Sequence, residues 1–578
     1  MTDDEPTTDR RSVLGTAGGF TLAGALADAL GAVPSARALD AERLSDDLAG
    51  LTGAPTPAPD ADPDADRVFP QGVAAGDPTP SGAMLWTRVA PEAYAPGRKL
   101  TLQVVAESGF DRLGAIWSIE TDGLPARDHA VKVDLDGHLD ADRAYRYRFV
   151  FDGVAGPIGR FRTLPAPESS PDAVRLGVLT CQDYRNGYYG AYRHLAREDL
   201  DYLLHLGDFI YEWGGPSDHD GRAISLPSGR AIAWGLEDFR HLYKLTCADP
   251  HLQDALASAA LIATWDDHEI VDDRFYDYEE GRPYAGPGAH PRNDDAAFMT
   301  QLFADGIRAW WEHMPVRVRY DPDADSLLDQ LGLWRSFRFG DLLKLVVTDE
   351  RLFRSRHDGD VTPQVSDAAV ASPGAAALDH TILGAEQRGW FVDRVADDAT
   401  TWTTWANEVL NMWLADEYGG EQYFDDSDAW DGYETERRLL MRALADRGVE
   451  NFVALSGDLH TALAGYLQVE YGQRAPPDDR VGVELMTPAV SSQNLAEQSD
   501  LLDSPLVRQY VTATILRKNP HLEFFDSYNH GYAVAEFTPD ACEFTVYAVD
   551  KNVPAAEAPR RRLAAFRVPE GTPELRSL

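Results

Sequence analysis

Lysine is scarce in this chain, standing only at positions 99, 132, 244, 344, 518 and 551 of 578 residues. With 53 Lys and Arg against 95 Asp and Glu, the net charge is −42. That balance excludes nucleic-acid binding through a basic patch, because displacing the counterions of a phosphate backbone takes clustered Lys and Arg. An anionic membrane surface would repel the chain for the same reason. The acids are spread over the whole length rather than gathered in a tail. Such a surface stays hydrated in concentrated salt, where self-repulsion is screened within about 3 Å at molar ionic strength. A halophilic source is the expectation, beside the plainer one of an ordinary acidic secreted enzyme.

Cysteine is scarcer still. Cys181, Cys247 and Cys542 cannot build a disulfide framework for a chain this long, and an odd number leaves at least one thiol unpaired. Cys247 and Cys542 read as small buried residues. Cys181 follows a strand, where a free thiol in an exported protein is a hazard unless it is buried or bound to metal.

A long uninterrupted apolar run is also missing. The nearest candidate, Gly15 to Val33, is rich in Gly and Ala and broken by Asp28, which makes it a poor membrane span. It follows Arg10-Arg11-Ser12-Val13-Leu14, a twin-arginine pattern, and precedes a cleavable Ala36-Arg37-Ala38 stretch. Residues 1–38 are therefore expected to be a Tat-type signal, with the twin-arginine export machinery as partner and a secreted or cell-surface location. Residues 39–67, rich in Pro, Ala and Asp, read as a linker.

What is present is a large core: 44% of the residues are hydrophobic and 10% aromatic, which argues for a globular protein. From residue 68 to 166 short alternating runs such as Leu100 to Val105 and Tyr145 to Phe149 predict a β-sandwich. The character then changes. Val174 to Leu179, Tyr202 to Leu206, Leu261 to Trp265, Leu343 to Val347 and Phe452 to Leu455 are near-continuous apolar runs, typical of strands covered on both faces. Helical stretches, among them Tyr192 to Glu198 and Phe298 to His313, lie between them, so residues 167–550 read as an α+β catalytic region with α/β-type layers, followed by a tail, 551–578.

The ends of those runs carry Thr180-Cys181-Gln182, Gly207-Asp208-Phe209-Ile210-Tyr211-Glu212, Asp266-Asp267-His268-Glu269, Asp349-Glu350-Arg351 and Gly457-Asp458-Leu459-His460. One Asp after a strand is usually a turn former. A thiol, a phenol, imidazoles and several carboxylates brought to one sheet edge point instead to a site neutralised by cations.

In these motifs the chain resembles the PhoD family of alkaline phosphatases and phosphodiesterases, relatives of the purple acid phosphatases. Gln71 to Pro78, Leu85 to Arg88, His313 to Arg317 and Leu383 to Gln387 are family-like too, so the resemblance runs over residues 68 to 548. It implies an Ig/fibronectin-like β-sandwich before a four-layered αββα metallophosphoesterase domain. It also implies hydrolysis of phosphomonoesters and of phosphodiesters. By the same resemblance Cys181, Asp208, Tyr211 and His460 would hold Fe3+. Asp208 would bridge to Ca2+, with Asp267 and Asp458 as oxygen donors. Asn407, beside Glu408, falls where relatives supply a further ligand, His268 would protonate the leaving group or steady the phosphate, and Arg351 would clamp phosphate. Glu269 would orient a neighbour, and Asp272 stands where the family pattern has Asn. A phospholipase D-like phosphodiesterase of the same family, and a non-catalytic exported calcium-binding surface protein, are the alternatives. The second would have no use for Cys181, Tyr211 and His460.

Overall fold

The computed structural model describes residues 37–38, 62–107, 115–356, 366–397, 399–418, 421–424, 428–471, 479–497 and 504–578. Apart from Arg37–Ala38, the expected signal lies outside the described residues, as does most of the linker. No helix among the described residues is long and apolar enough to cross a membrane.

The content is mixed α and β, built on two large sheets. The first has ten strands, and at its centre Val174–Leu179, Tyr202–His205 and Ala260–Ala263 run parallel. In the second, of seven strands, Leu343–Val347, Trp402–Ala406, Phe452–Ser456 and Arg480–Met486 run parallel. The apolar runs of the sequence fall on these central strands because both faces of each sheet are covered. Leu345 and Val347 pack in one core with Val178 and Leu204 of the first sheet. Val346, between them, packs on the opposite face with Phe391 and Val392 of helix Gly384–Val395 and Leu439 and Leu440 of helix Glu434–Asp446.

The N-terminal region is β-rich, as its alternation predicts. Along Ala144–Phe151 every second residue is buried, and this strand pairs with Leu100–Ala106. The strands Val73–Thr79, Gly82–Arg88 and Ala130–Asp134, however, continue the ten-stranded sheet, which thus crosses the boundary expected near residue 166. The crossing is made by parallel pairing of Gly76 with Leu261. A Cβ at Gly76 would lie 2.2 Å from the Pro315 carbonyl oxygen and 2.7 Å from that of Leu261, so only glycine fits there. Next to it, Asp77 accepts from the Arg335 guanidinium and from the backbone N–H of Arg317, both at 2.7 Å. Toward the far edge of the sheet, Arg560–Pro569 pairs with Ala541–Val549 and with Arg576–Ser577, so the segment expected as a tail supplies strands.

A buried ion cluster ties the two regions together. Asp128 lies 3.0 Å from Arg88, 3.1 Å from Lys244 and 3.4 Å from His313, residues of a strand and two different helices. Burial raises the pKa of Asp128, but hydrogen bonding to His313 and Arg88 more than offsets it and holds the carboxyl well below its ordinary range. A depressed carboxylate stabilises the fold above its unfolded-state pKa, and the contribution is lost only as pH falls through the folded value, in strong acid. Asp128→Asn is expected to cost about 3 kcal/mol at neutral pH, the scale for breaking a buried pair on one side. The difference from wild type should vanish in acid, read from denaturant melts across pH.

Candidate metal centre

The carboxyl ends of the parallel strands of both sheets meet, as crevice-forming ends do in α/β folds. Cys181 follows Val174–Leu179, Asp208 follows Tyr202–His205, Asp267 follows Ala260–Ala263, Arg351 follows Leu343–Val347, and Asp458 and His460 follow Phe452–Ser456. Gly207 sits at φ +112, with its missing Cβ 2.5 Å from the Asp266 side chain, which lets the Asp208 and Asp267 loops approach. Cys181, Asp208, Asp458 and His460 all hold left-handed φ values of +54 to +67. Such backbone costs a non-glycine residue of the order of 1–3 kcal/mol and collects at functional sites.

The first group comprises Cys181, Asp208 and His460, whose ligand atoms lie within 4.8 Å of one another. Tyr211 joins it: its hydroxyl donates to Asp208 Oδ2 at 2.7 Å and lies 3.2 Å from His460 Nε2. His460 Nδ1 is 2.6 Å from the Gln493 carbonyl, which can only accept, so Nδ1 carries the proton and Nε2 offers its lone pair to the group. Burial lowers the His460 pKa to about 4, which keeps that lone pair free.

The second group shares Asp208 with the first. Asp208, Asp267 and His268 form one cluster, and Asp266, Asp267 and Asp458 another. Arg351, 1% exposed, donates to Asp266 and Asp428, reaches Asp458 at 3.3 Å and lies 3.8 Å from Asp267. The arginine expected on phosphate thus sits among four carboxylates. Asn407, expected as a ligand, has its amide in another network: it donates to the Val409 carbonyl and to Glu484 at 3.2 Å and accepts from Trp430 at 3.1 Å.

Sequence reasoning gave no role to Glu212 and Ser492. Glu212, fully buried, accepts from His268 Nδ1 at 2.8 Å and from the Asp272 backbone at 2.9 Å, while the His268 ring lies 4.1 Å from that of Tyr211. Burial alone would lower the His268 pKa, but Asp267, Glu212 and Asp208 raise it well above the usual imidazole value. Its place in the Tyr211-Glu212 motif was the available signal for Glu212. Ser492 donates to Tyr211 Oη at 2.6 Å and lies in no charged motif. Glu269 accepts the backbone N–H groups of Phe209, Asp266 and Asp208 at 2.7, 2.8 and 3.2 Å, the orienting part read for it. Asp272 closes a further group with Asp267 and Asp273.

These residues fit cations. Asp208 Oδ1 and Asp267 Oδ1 are buried acceptors without a hydrogen-bond partner, a costly condition in a low-dielectric interior. Burial, and then neighbouring acids, push Asp208 up. They likewise push up Cys181, next to Asp208, and Tyr211, next to Asp208 and Cys181. Only added positive charge lets a thiolate, a phenolate and a carboxylate coexist at this spacing.

Similarity to known phosphatases makes this chain a hydrolase of phosphoric esters. Residues 176–546 match the family described as PhoD-like phosphatase and residues 54–165 match its N-terminal domain, and the chain belongs to this family. It is 29% identical to alkaline phosphatase D of Bacillus subtilis (strain 168) over 484 residues, 82% of this chain and 76% of that protein. A solved structure titled "Structure of PhoD" matches with a TM-score of 0.72 at 25% identity, covering 90% of this chain and 93% of the other.

Proposed function

We propose that the protein is an exported two-centre phosphoester hydrolase that cleaves phosphomonoesters and also phosphodiesters at a mixed Fe3+/Ca2+ site. The observation that carries this reading is Asp208, whose carboxylate belongs to both ligand groups and has one oxygen without a partner. Cys181, Asp208, Tyr211 and His460 would hold the ferric ion, since anionic thiolate and phenolate donors suit a strongly acidic cation. Asp208, Asp267 and Asp458 would hold calcium with hard oxygens.

Bound cations supply Lewis acidity, lowering the pKa of a water and drawing charge from the phosphate oxygens. The chain's own residues do the rest. Asp267, Glu212 and Asp208 favour His268 as the imidazolium, protonated on both nitrogens: Nδ1–H donates to Glu212, and the Nε2 proton would go to the departing alkoxide. Arg351 lies against Asp266, Asp267 and Asp458 and offsets their mutual repulsion. Around this centre the two sheets with helices outside them are read as a four-layered αββα unit, and the N-terminal strands as an Ig/fibronectin-like sandwich. The twin-arginine pattern supports Tat export, and the spread of acids supports a halophilic source.

The experiment is optical. Phenolate and thiolate on ferric iron give a visible charge-transfer band that calcium cannot produce, so the active protein should be coloured. Tyr211→Phe should remove the phenolate part, Cys181→Ser should shift or bleach the remainder, and a mild calcium chelator should stop turnover reversibly with the colour kept. A colourless, iron-free and fully active protein would refute the mixed-metal reading and leave a generic two-cation hydrolase.

A further inference from the structure

One segment, Val490 to Gln493, touches three of the four residues assigned above to the ferric ion. Ser491 and Ser492 N–H groups both donate to the Cys181 carbonyl at 3.2 Å, and the Val490 N–H donates to the Thr180 carbonyl at 3.0 Å. Gln493 accepts from His460, and Ser492 Oγ donates to Tyr211 Oη. The segment is braced from behind: Lys551 Nζ donates to the Ser491 carbonyl at 2.8 Å and His530 Nε2 to the Ser492 carbonyl at 2.9 Å.

The direction of the Ser492 proton is fixed by its partners. A serine hydroxyl has one proton and two acceptor positions. The Asp183 backbone N–H donates to Ser492 Oγ at 3.1 Å and takes one of those positions, while Tyr211 Oη, 2.6 Å away, has committed its own proton to Asp208 Oδ2. The serine proton therefore goes to the phenol oxygen. Ser492 is buried, so water does not compete for it.

We infer that Ser492 is a positioning residue that sets how much charge Tyr211 donates to the ion it shares with Cys181, Asp208 and His460. This rests on the metal reading above. A hydrogen bond into the phenol oxygen lowers the energy of its lone pairs. It keeps the oxygen aimed at the ion and tempers its donation, as outer-sphere partners do at other metal sites.

The test uses the full-length metal-loaded protein and four variants: Ser492→Ala, Ser492→Thr, Tyr211→Phe and the Tyr211→Phe/Ser492→Ala pair. Ser492→Ala is expected to move the Tyr211 band to longer wavelength, since the untempered oxygen donates more, and, since nothing then aims that oxygen at the ion, to speed metal release into a chelator by about tenfold or more. Ser492→Thr, which keeps the hydroxyl, should stay near wild type in both. In the Tyr211→Phe background the alanine change should add little, since the oxygen it acts on is gone. An unmoved band, or the same acceleration with and without the phenol oxygen, would overturn the inference and make Ser492 a purely structural contact. If the wild type holds no iron and shows no band, the ferric assignment fails. The release measurements on whichever ion is bound still decide the role of Ser492. Should Ser492→Ala fail to fold, Ser492→Cys, a weak donor, takes its place in the same comparison.

Discussion

Asp208→Asn is expected to abolish phosphoester hydrolysis and to lower the content of both cations while leaving the fold intact. The fold survives because asparagine tolerates the left-handed backbone at φ +59 as well as aspartate does. Its carbonyl can still accept from Tyr211, and its backbone N–H can still donate to Glu269. The site does not survive. The amide nitrogen then occupies the position of Oδ1, the oxygen without a partner, and presents N–H groups where both ligand groups converge. Loss of one metal alone would show that Asp208 belongs to a single group and does not bridge.

His268→Asn should leave metal content near normal and lower turnover by on the order of a hundredfold or more, the scale of one general acid. Asparagine can still donate to Glu212, so the buried carboxylate keeps a partner and the loop keeps its shape. What is lost is the proton for the leaving group. Alkyl phosphates, whose alkoxides need that proton, should therefore suffer far more than aryl phosphates with acidic leaving groups, in parallel assays of kcat. Full loss of metal would instead place His268 among the ligands, next to Asp208 and Asp267 in the cluster they form.

The strands that carry the site were legible because a parallel strand buried on both faces reads as an unbroken apolar run, and the polar residue after it marks the crevice. Five such runs, ending near Cys181, Asp208, Asp267, Arg351 and Asp458, match observed strands. The joining of the N-terminal strands to the first sheet was not legible. It depends on one close approach between Gly76 and Leu261, distant in sequence, and no periodicity records it. The roles of Arg351 and Asn407 were obscured for another reason. A charged or amide residue after a strand reads the same whether it faces a substrate or its neighbours, and both side chains make hydrogen bonds inside the protein. Ser492 had no local signal at all, because its importance lies in facing Tyr211 across 281 positions of chain.

Metal analysis of wild type and Asp208→Asn prepared side by side tests whether one carboxylate serves two cations. Wild type should carry iron and calcium in the active preparation, and the variant should lose both together with activity. A variant that is inactive yet keeps its full complement of both metals would contradict the bridging role of Asp208 and with it the two-centre site.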